Sequence, residues 1–248
     1  LPVAGISEDS AVMPAAAGKE IVQSVDLISE ITADPFQLGK IAAMHALSDL
    51  YAANAVPRHA LAMINMVPAR VDLQREHLTQ LMAGSLMALS EAGTMLVGGH
   101  TSETNATMVG FAVTGTRDHP PTPPRIEQDP VLLITKAVGT GVVMAGGMQL
   151  LADGDWVTEA LASMASGNRA AAAILQADNP MMTDVTGFGL ARHALNLAER
   201  CSFSGVEITL AAVPLLAGAE RLLEQGVRSS LHAQNEASVR LADSIANS

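Results

Sequence analysis

The sequence predicts a mixed α/β protein organised as two domains. Three observations carry that prediction. Strand-like and helix-like segments alternate along most of the chain. Two long runs with helical spacing, Phe36 to Ala53 and Leu73 to Ala92, are each flanked by short apolar, strand-like runs. Finally, the stretch RDHPPTPPRIEQD from Arg117 to Asp129 holds four prolines, which exclude helix and central strand alike, and it divides the chain into near-equal halves. Domains are therefore expected over 1–117 and 130–248, with a linker over 118–129.

Strands are expected at Glu20–Leu27, Ala60–Val67, Thr94–Val97, Thr107–Thr116, Pro130–Thr135 and Val206–Leu210. The first long helix starts after Asp34-Pro35, a capping carboxylate followed by a proline suited to the first turn. The second is amphipathic and ends at Gly93, a C-terminal stop. Further helices are expected near Gly141–Ala152, Val157–Ala165, Arg169–Gln176, Gly189–Arg200, Leu216–Gln225 and Glu236–Ala246.

Composition narrows the function classes. Hydrophobic residues make up 49% of the 248 and charged residues 16%, which excludes an intrinsically disordered chain. Aromatics are 2%, too few for a base-stacking platform, and a net charge of −11 repels polyanions, so no nucleic-acid partner is expected. The single cysteine, Cys201, excludes an internal disulfide framework and a CxxC-type zinc site, and reads as a small core residue. No apolar run reaches about 18 residues and no charged-then-apolar leader opens the chain, so the expectation is a cytoplasmic protein with no membrane contact. A first residue of Leu rather than Met is the ground for expecting a piece of something longer.

The chain has no GxxxxGK[ST] loop, GxSxG elbow, HExxH or GxGxxG. What it has is a set of aspartates in apolar or small-residue surroundings: Asp9 in GISEDSAV, Asp26 in VQSVDLI, Asp49 in HALSDLYA and Asp184 in MMTDVTGFGL. Asp9 as a turn residue, Asp26 as a water-facing strand end and Asp184 as the cap of a helix opening at Gly187–Gly189 are the plain readings of three of them. Asp49 resists such a reading, because Ile41, Met44, His45, Leu47, Leu50 and Tyr51 surround it, so the helix has apolar residues on several sides. A carboxylate there is expensive unless a cation or hydrogen-bond donors neutralise it. In a chain poor in Lys and Arg, hard oxygen ligands suit Mg²⁺ shared with phosphates as the neutraliser. Val97-Gly98-Gly99-His100-Thr101, read as a turn after a short strand, and Lys136 to Gly141, read as a strand-to-helix turn, are both suited to anions. Together these features point to a Mg²⁺–nucleotide site.

The segments VDLISEITADPFQLGKIAAMHALSDLYA, VGGHTSE, GFAVTG, LLITKAVGTGV, TDVTGFGLARHAL and VPLLAGAERLLEQGV occur in an order that resembles the selenophosphate synthetase (selenide, water dikinase) family. That family lies within the aminoimidazole ribonucleotide synthetase-like superfamily, and the resemblance runs from about Gly5 to Asn235. It implies a two-domain α/β (α+β) fold whose N-terminal domain binds ATP and Mg²⁺ and dimerises through its sheet. Its reaction is selenide plus ATP plus water giving selenophosphate, AMP and phosphate. By position, Asp9, Asp49 and Asp184 match the Mg²⁺ ligands, and Asp26 a further carboxylate at the phosphate end. Ile6, Ser7 and Glu8 match the turn that contacts ATP, and Gly98, Gly99 and His100 the loop that reaches ATP from the neighbouring subunit. Lys136 and Asn168 fall in motif segments without an assigned role.

The chain departs from the family at several places. Glu8-Asp9 stands where two adjacent aspartates are usual, Thr101-Ser102-Glu103 where Ser-Ile-Asp is usual, and Ala53-Asn54-Ala55 where Met-Gly-Gly is usual. With Gly226–Asn235, these variants resemble the form fused behind an NADH-dehydrogenase-like domain. Nothing matches the family's N-terminal segment with its reactive Cys or Sec and nearby Lys, and Cys201 is not its counterpart. The resemblance thus implies domains lacking their outer ends, and no selenophosphate synthesis by this stretch alone. A kinase or synthetase of the same superfamily acting on another small molecule, and a degenerate ATP-binding paralogue, stay open beside it.

Overall fold

The computed structural model describes residues 10–15, 18–124 and 130–239. Two compact units divide the chain, one drawn from residues 1–124 and 161–182 and the other from 125–160 and 183–248.

In the first unit the described strands are β1 (Ala11–Pro14), β2 (Glu20–Ser29), β3 (Val56–Met66), β4 (Met95–Glu103) and β5 (Met108–Arg117), in the sheet order β1-β2-β5-β3-β4. All neighbours are antiparallel except β3 and β4. A parallel pair needs a crossover, supplied here by helix α2 (Val71–Glu91), while α1 (Pro35–Ala52) connects β2 to β3. Alternation along the strands decides which side the helices cover. Val22 and Ser24 of β2, Ala60, Ala62 and Ile64 of β3, and Val109, Phe111 and Val113 of β5 are buried with Leu38, Leu47 and Leu50 of α1 and Leu81 and Leu89 of α2. The other side carries Val25, Leu27 and Leu61 and is open.

Local signals explain the helix ends. Asp34 accepts hydrogen bonds from the Phe36 and Gln37 amides (2.9 and 3.2 Å), with Pro35 as first helical residue. Gly93, at φ +69°, takes the left-handed conformation that ends α2. The two helices approach closely because Gly39 and Gly84 carry no side chains: a Cβ on Gly84 would lie 1.8 Å from the Phe36 carbonyl oxygen, and one on Gly39 2.0 Å from that of Leu81.

Four of the expected strands are present, with altered bounds. The largest change is at β4, which runs on through Gly98-Gly99-His100 to Glu103 instead of stopping at Val97. The glycine pair is therefore not a turn after a strand. It pairs with Leu61 and Ala62 of β3, with an irregular register beside it and Gly98 at φ +154°. Pairing with β3 overrides the poor strand propensity of glycine. A Cβ on Gly99 would sit 2.4 Å from the Ala62 carbonyl oxygen. The short β1, an edge strand ending in proline, had no visible sequence signal.

The remaining helices are α3 (Thr140–Met148), α4 (Gly154–Ala165), α5 (Arg169–Leu175), α6 (Gly189–Arg200), α7 (Ala219–Glu224) and α8 (His232–Ser238). Of these, α5 falls in the first unit. The core of the second unit gathers Val143, Ala145, Ala160, Leu216, Ala219, Leu222 and Val227, with Trp156 packed against it. Pro130–Thr135 and Val206–Leu210, expected as strands, are irregular. A strand exists through its ladder, and among the described residues these segments pair with nothing; the isolated bridge between Val138 and Leu215 lies just beyond each of them. The last helix starts earlier than its expected Glu236, and 240–246 of that expectation lie outside the described residues.

Candidate functional site

The centre of the candidate site is the packing of α1 on β2. Fifteen residues of helix, counted from Pro35, bring Asp49 to the sheet, where it is 6% exposed. Burying a carboxylate is costly, and the Ser24 hydroxyl answers part of that cost by donating to Asp49 Oδ2. Ser24, itself buried, lies two residues before Asp26, so both project from the same face of β2, roughly 7 Å apart along the strand. Asp26 is half-buried within β2 and is not a water-facing strand end; its Oδ2 lies 3.9 Å from His45 Nε2. His45 stands one turn before Asp49 on α1. The fold thus draws Asp26, Asp49, Ser24 and His45 into one polar patch within an apolar interface.

Sequence reasoning gives Ser24 no role and reads His45 only as a helix neighbour of Asp49. Their signals are the strand period of two from Asp26 and the helix spacing of four from Asp49, which become meaningful only once β2 and α1 are known to pack together.

The other candidates are placed differently. Gly98, Gly99 and His100 are exposed on β4, three strand spacings from β2 in the order β2-β5-β3-β4, on the order of 14 Å. The sheet does not bring them to Asp26. Asp184 belongs to the second unit, in the irregular segment before α6. It does not cap that helix, whose N-cap residue is Phe188 with no side-chain capping bond. Ile6, Ser7, Glu8 and Asp9 lie outside the described residues. Lys136 precedes Gly139, whose φ of +121° opens α3, and burial holds its ammonium below the usual lysine range. Asn168 stands at the N-cap position of α5 without a side-chain capping bond. Cys201 is buried at the end of α6, and burial pushes its thiol above the usual range, as suits a core residue rather than a nucleophile.

Among the described residues no three His, Cys, Asp or Glu gather closely enough to form a protein-only metal cage. The donor set at the α1–β2 patch, carboxylate and hydroxyl oxygen, fits Mg²⁺ of the kind that takes one or two carboxylates and completes its shell with water and phosphate oxygens. Among the described residues no helix is long and apolar enough to cross a membrane.

Residues 7–116 match the family described as AIR synthase related protein, N-terminal domain. The chain is 38% identical over 228 residues to the selenide, water dikinase of Geobacter metallireducens, covering 89% of this chain and 64% of that relative's length. It is 33% identical over 250 residues to the selenide, water dikinase of Burkholderia orbicola, covering 96% of this chain and 69% of the relative. Among solved structures, AaThiL complexed with AMPPCP and TMP is similar with a TM-score of 0.67 at 19% identity, covering 89% of this chain and 72% of that one. At that identity the likeness concerns the fold, which is the mixed α/β fold expected from the sequence.

Proposed function

The chain belongs to the selenide, water dikinase family, and from that membership we propose that it provides the Mg²⁺–ATP-binding framework for making selenophosphate from selenide. Selenide, ATP and water are consumed, and selenophosphate, AMP and phosphate are released. The observation that carries this reading is Asp49, a carboxylate held inside a helix–sheet interface and oriented by the Ser24 hydroxyl. A position so costly to maintain is expected where the charge is used.

On this reading Asp49 and Asp184, together with Asp9, hold Mg²⁺, and Asp26 adds a carboxylate at the phosphate end. When bound, Mg²⁺ neutralises phosphate charge and stabilises the leaving oxygen during phosphoryl transfer. The aspartates are holders rather than general bases. The Ser24 hydroxyl, donating to Asp49 Oδ2, fixes the direction in which that oxygen points. Ile6, Ser7 and Glu8 contact ATP. Gly98, Gly99 and His100 serve the site of a neighbouring copy, in keeping with the strands that separate them from Asp26 in their own sheet. The first unit, 1–124 with 161–182, acts as the nucleotide-binding and dimerisation domain, and 125–160 with 183–248 as the second domain.

The test is Asp49→Asn in the complete natural protein, which preserves shape and an oxygen able to accept from Ser24. Phosphorus NMR with Mg²⁺–ATP, with and without selenide, should show turnover reduced at least about 100-fold. The melting temperature should stay within a few degrees of the parent. Undiminished turnover at saturating Mg²⁺ would remove Asp49 from the site. ATP consumption by the parent protein that ignores selenide would replace selenide with another phosphoryl acceptor.

A further inference from the structure

We propose that His193 is the positioning residue that holds Asp184 in place for nucleotide binding, by clamping the chain on both sides of it. His193 stands on the second turn of α6 and is 2% exposed. Its ring reaches back across the α6 N-terminus, past Phe188 (ring centroids 5.9 Å apart), to the irregular segment that carries Asp184. Nε2 accepts from the backbone N–H of Thr186 at 3.2 Å and lies 3.2 Å from the Thr186 hydroxyl. Nδ1 lies 3.3 Å from the Thr183 hydroxyl, which in turn donates to the Asp184 carbonyl at 3.3 Å.

These partners dictate the tautomer. A backbone N–H can only donate, so Nε2 must be an acceptor and the ring proton resides on Nδ1. That proton then points to the Thr183 oxygen, and the Thr183 hydroxyl proton is left for the Asp184 carbonyl. One neutral imidazole therefore binds the residues before and after the Asp184–Val185 pair and ties both to a helix. The segment itself has no helix or strand ladder to fix it, so the clamp supplies what secondary structure does not. His193 need not touch the ligand to matter. A carboxylate that binds Mg²⁺ must be placed to within a fraction of an ångström, and partners one step removed from ligands commonly set metal affinity.

The inference rests on the reading of Asp184 as a Mg²⁺ ligand, and the test separates the two. In the complete natural protein, ¹⁵N-histidine NMR should show one buried imidazole protonated at Nδ1 and bare at Nε2. His193→Leu should speed hydrogen exchange of the Thr186 amide and weaken binding of Mg²⁺ with a non-hydrolysable ATP analogue by about 10-fold or more. His193→Gln, whose amide oxygen can take the place of Nε2, should recover most of both. A merely structural histidine would lower the melting temperature of His193→Leu and leave the analogue's affinity unchanged, which overturns the proposal. So would a ring found bare at Nδ1. If Asp184→Asn binds Mg²⁺ and the analogue like the parent, the ligand reading of Asp184 fails and the proposal with it. Loss of binding in Asp184→Asn but not in His193→Leu removes the clamp's role alone. Should His193→Leu fail to fold, the tautomer and the His193→Gln affinity still decide.

Discussion

Tyr51 is the chain's single tyrosine, near the end of α1 and two residues from Asp49, with its ring in the core of the first unit. Burial pushes its phenol above the ordinary value of 10.0, and the nearby Arg169 charge works in the opposite direction. Because no other tyrosine contributes, the phenolate absorbance band reads this residue alone. The folded protein should titrate with a midpoint above 10.0, returning to it in concentrated urea. A raised folded value means the unfolded chain loses its proton first as pH rises. The stability tied to Tyr51 is therefore fully present below 10.0 and is lost as pH climbs through the folded midpoint. Arg169→Leu should move the folded midpoint higher still. A folded midpoint at or below 10.0 would show that burial does not outweigh the Arg169 charge at the phenol.

Among the elements, the α1–α2 pair bears most directly on the site, because α1, which carries Asp49, packs against both α2 and β2. The two helices meet at Gly39 and Gly84, where added Cβ atoms would strike main-chain carbonyls rather than movable side chains. Gly84→Ala should gain about 1 kcal/mol of helix propensity yet lose roughly 1–3 kcal/mol to overpacking. The net should be a lower urea midpoint. Gly154→Ala is the matched control: it lies at the start of α4 with nothing within 4 Å of its missing Cβ, so it should be neutral or slightly stabilising. Equal effects of the two substitutions would mean that the helices do not cross this closely.

For the molecule as a whole, the open side of the first unit's sheet carries a group of exposed apolar side chains. Val25 (61% exposed) and Leu61 (46%) flank Ala112 in one cross-strand row, with Leu27 in the next. This is the face through which the proposed dimer would form. Leu61→Glu should convert a sedimenting dimer to monomer, because like carboxylates would be buried against an apolar partner face. Each copy carries −11, so added salt should strengthen association by screening the repulsion between copies. A parent protein that sediments as a monomer at every salt concentration would remove the dimer from the proposed function.

At this same scale the division between sequence and tertiary structure becomes clear. The sequence by itself determined the signals that are local or periodic: the Asp34-Pro35 start of α1, the Gly93 stop of α2, the strand character of β2, β3 and β5, and the oddity of an aspartate at position 49 in an apolar helix. These need only neighbouring residues, so one dimension suffices to read them. Tertiary structure alone decided that Ser24 meets Asp49, that Gly98-Gly99-His100 continue a strand, that 161–182 pack with the first unit, and that His193 ties down both sides of Asp184. Each of these depends on which element lies beside which. For the first three, a hydrogen bond or a ladder joins surfaces that come near only after the fold is settled, so no short window along the sequence contains both partners. Thr183, Thr186 and His193 do share a short window, but only the path of the chain into α6 turns their side chains toward one another.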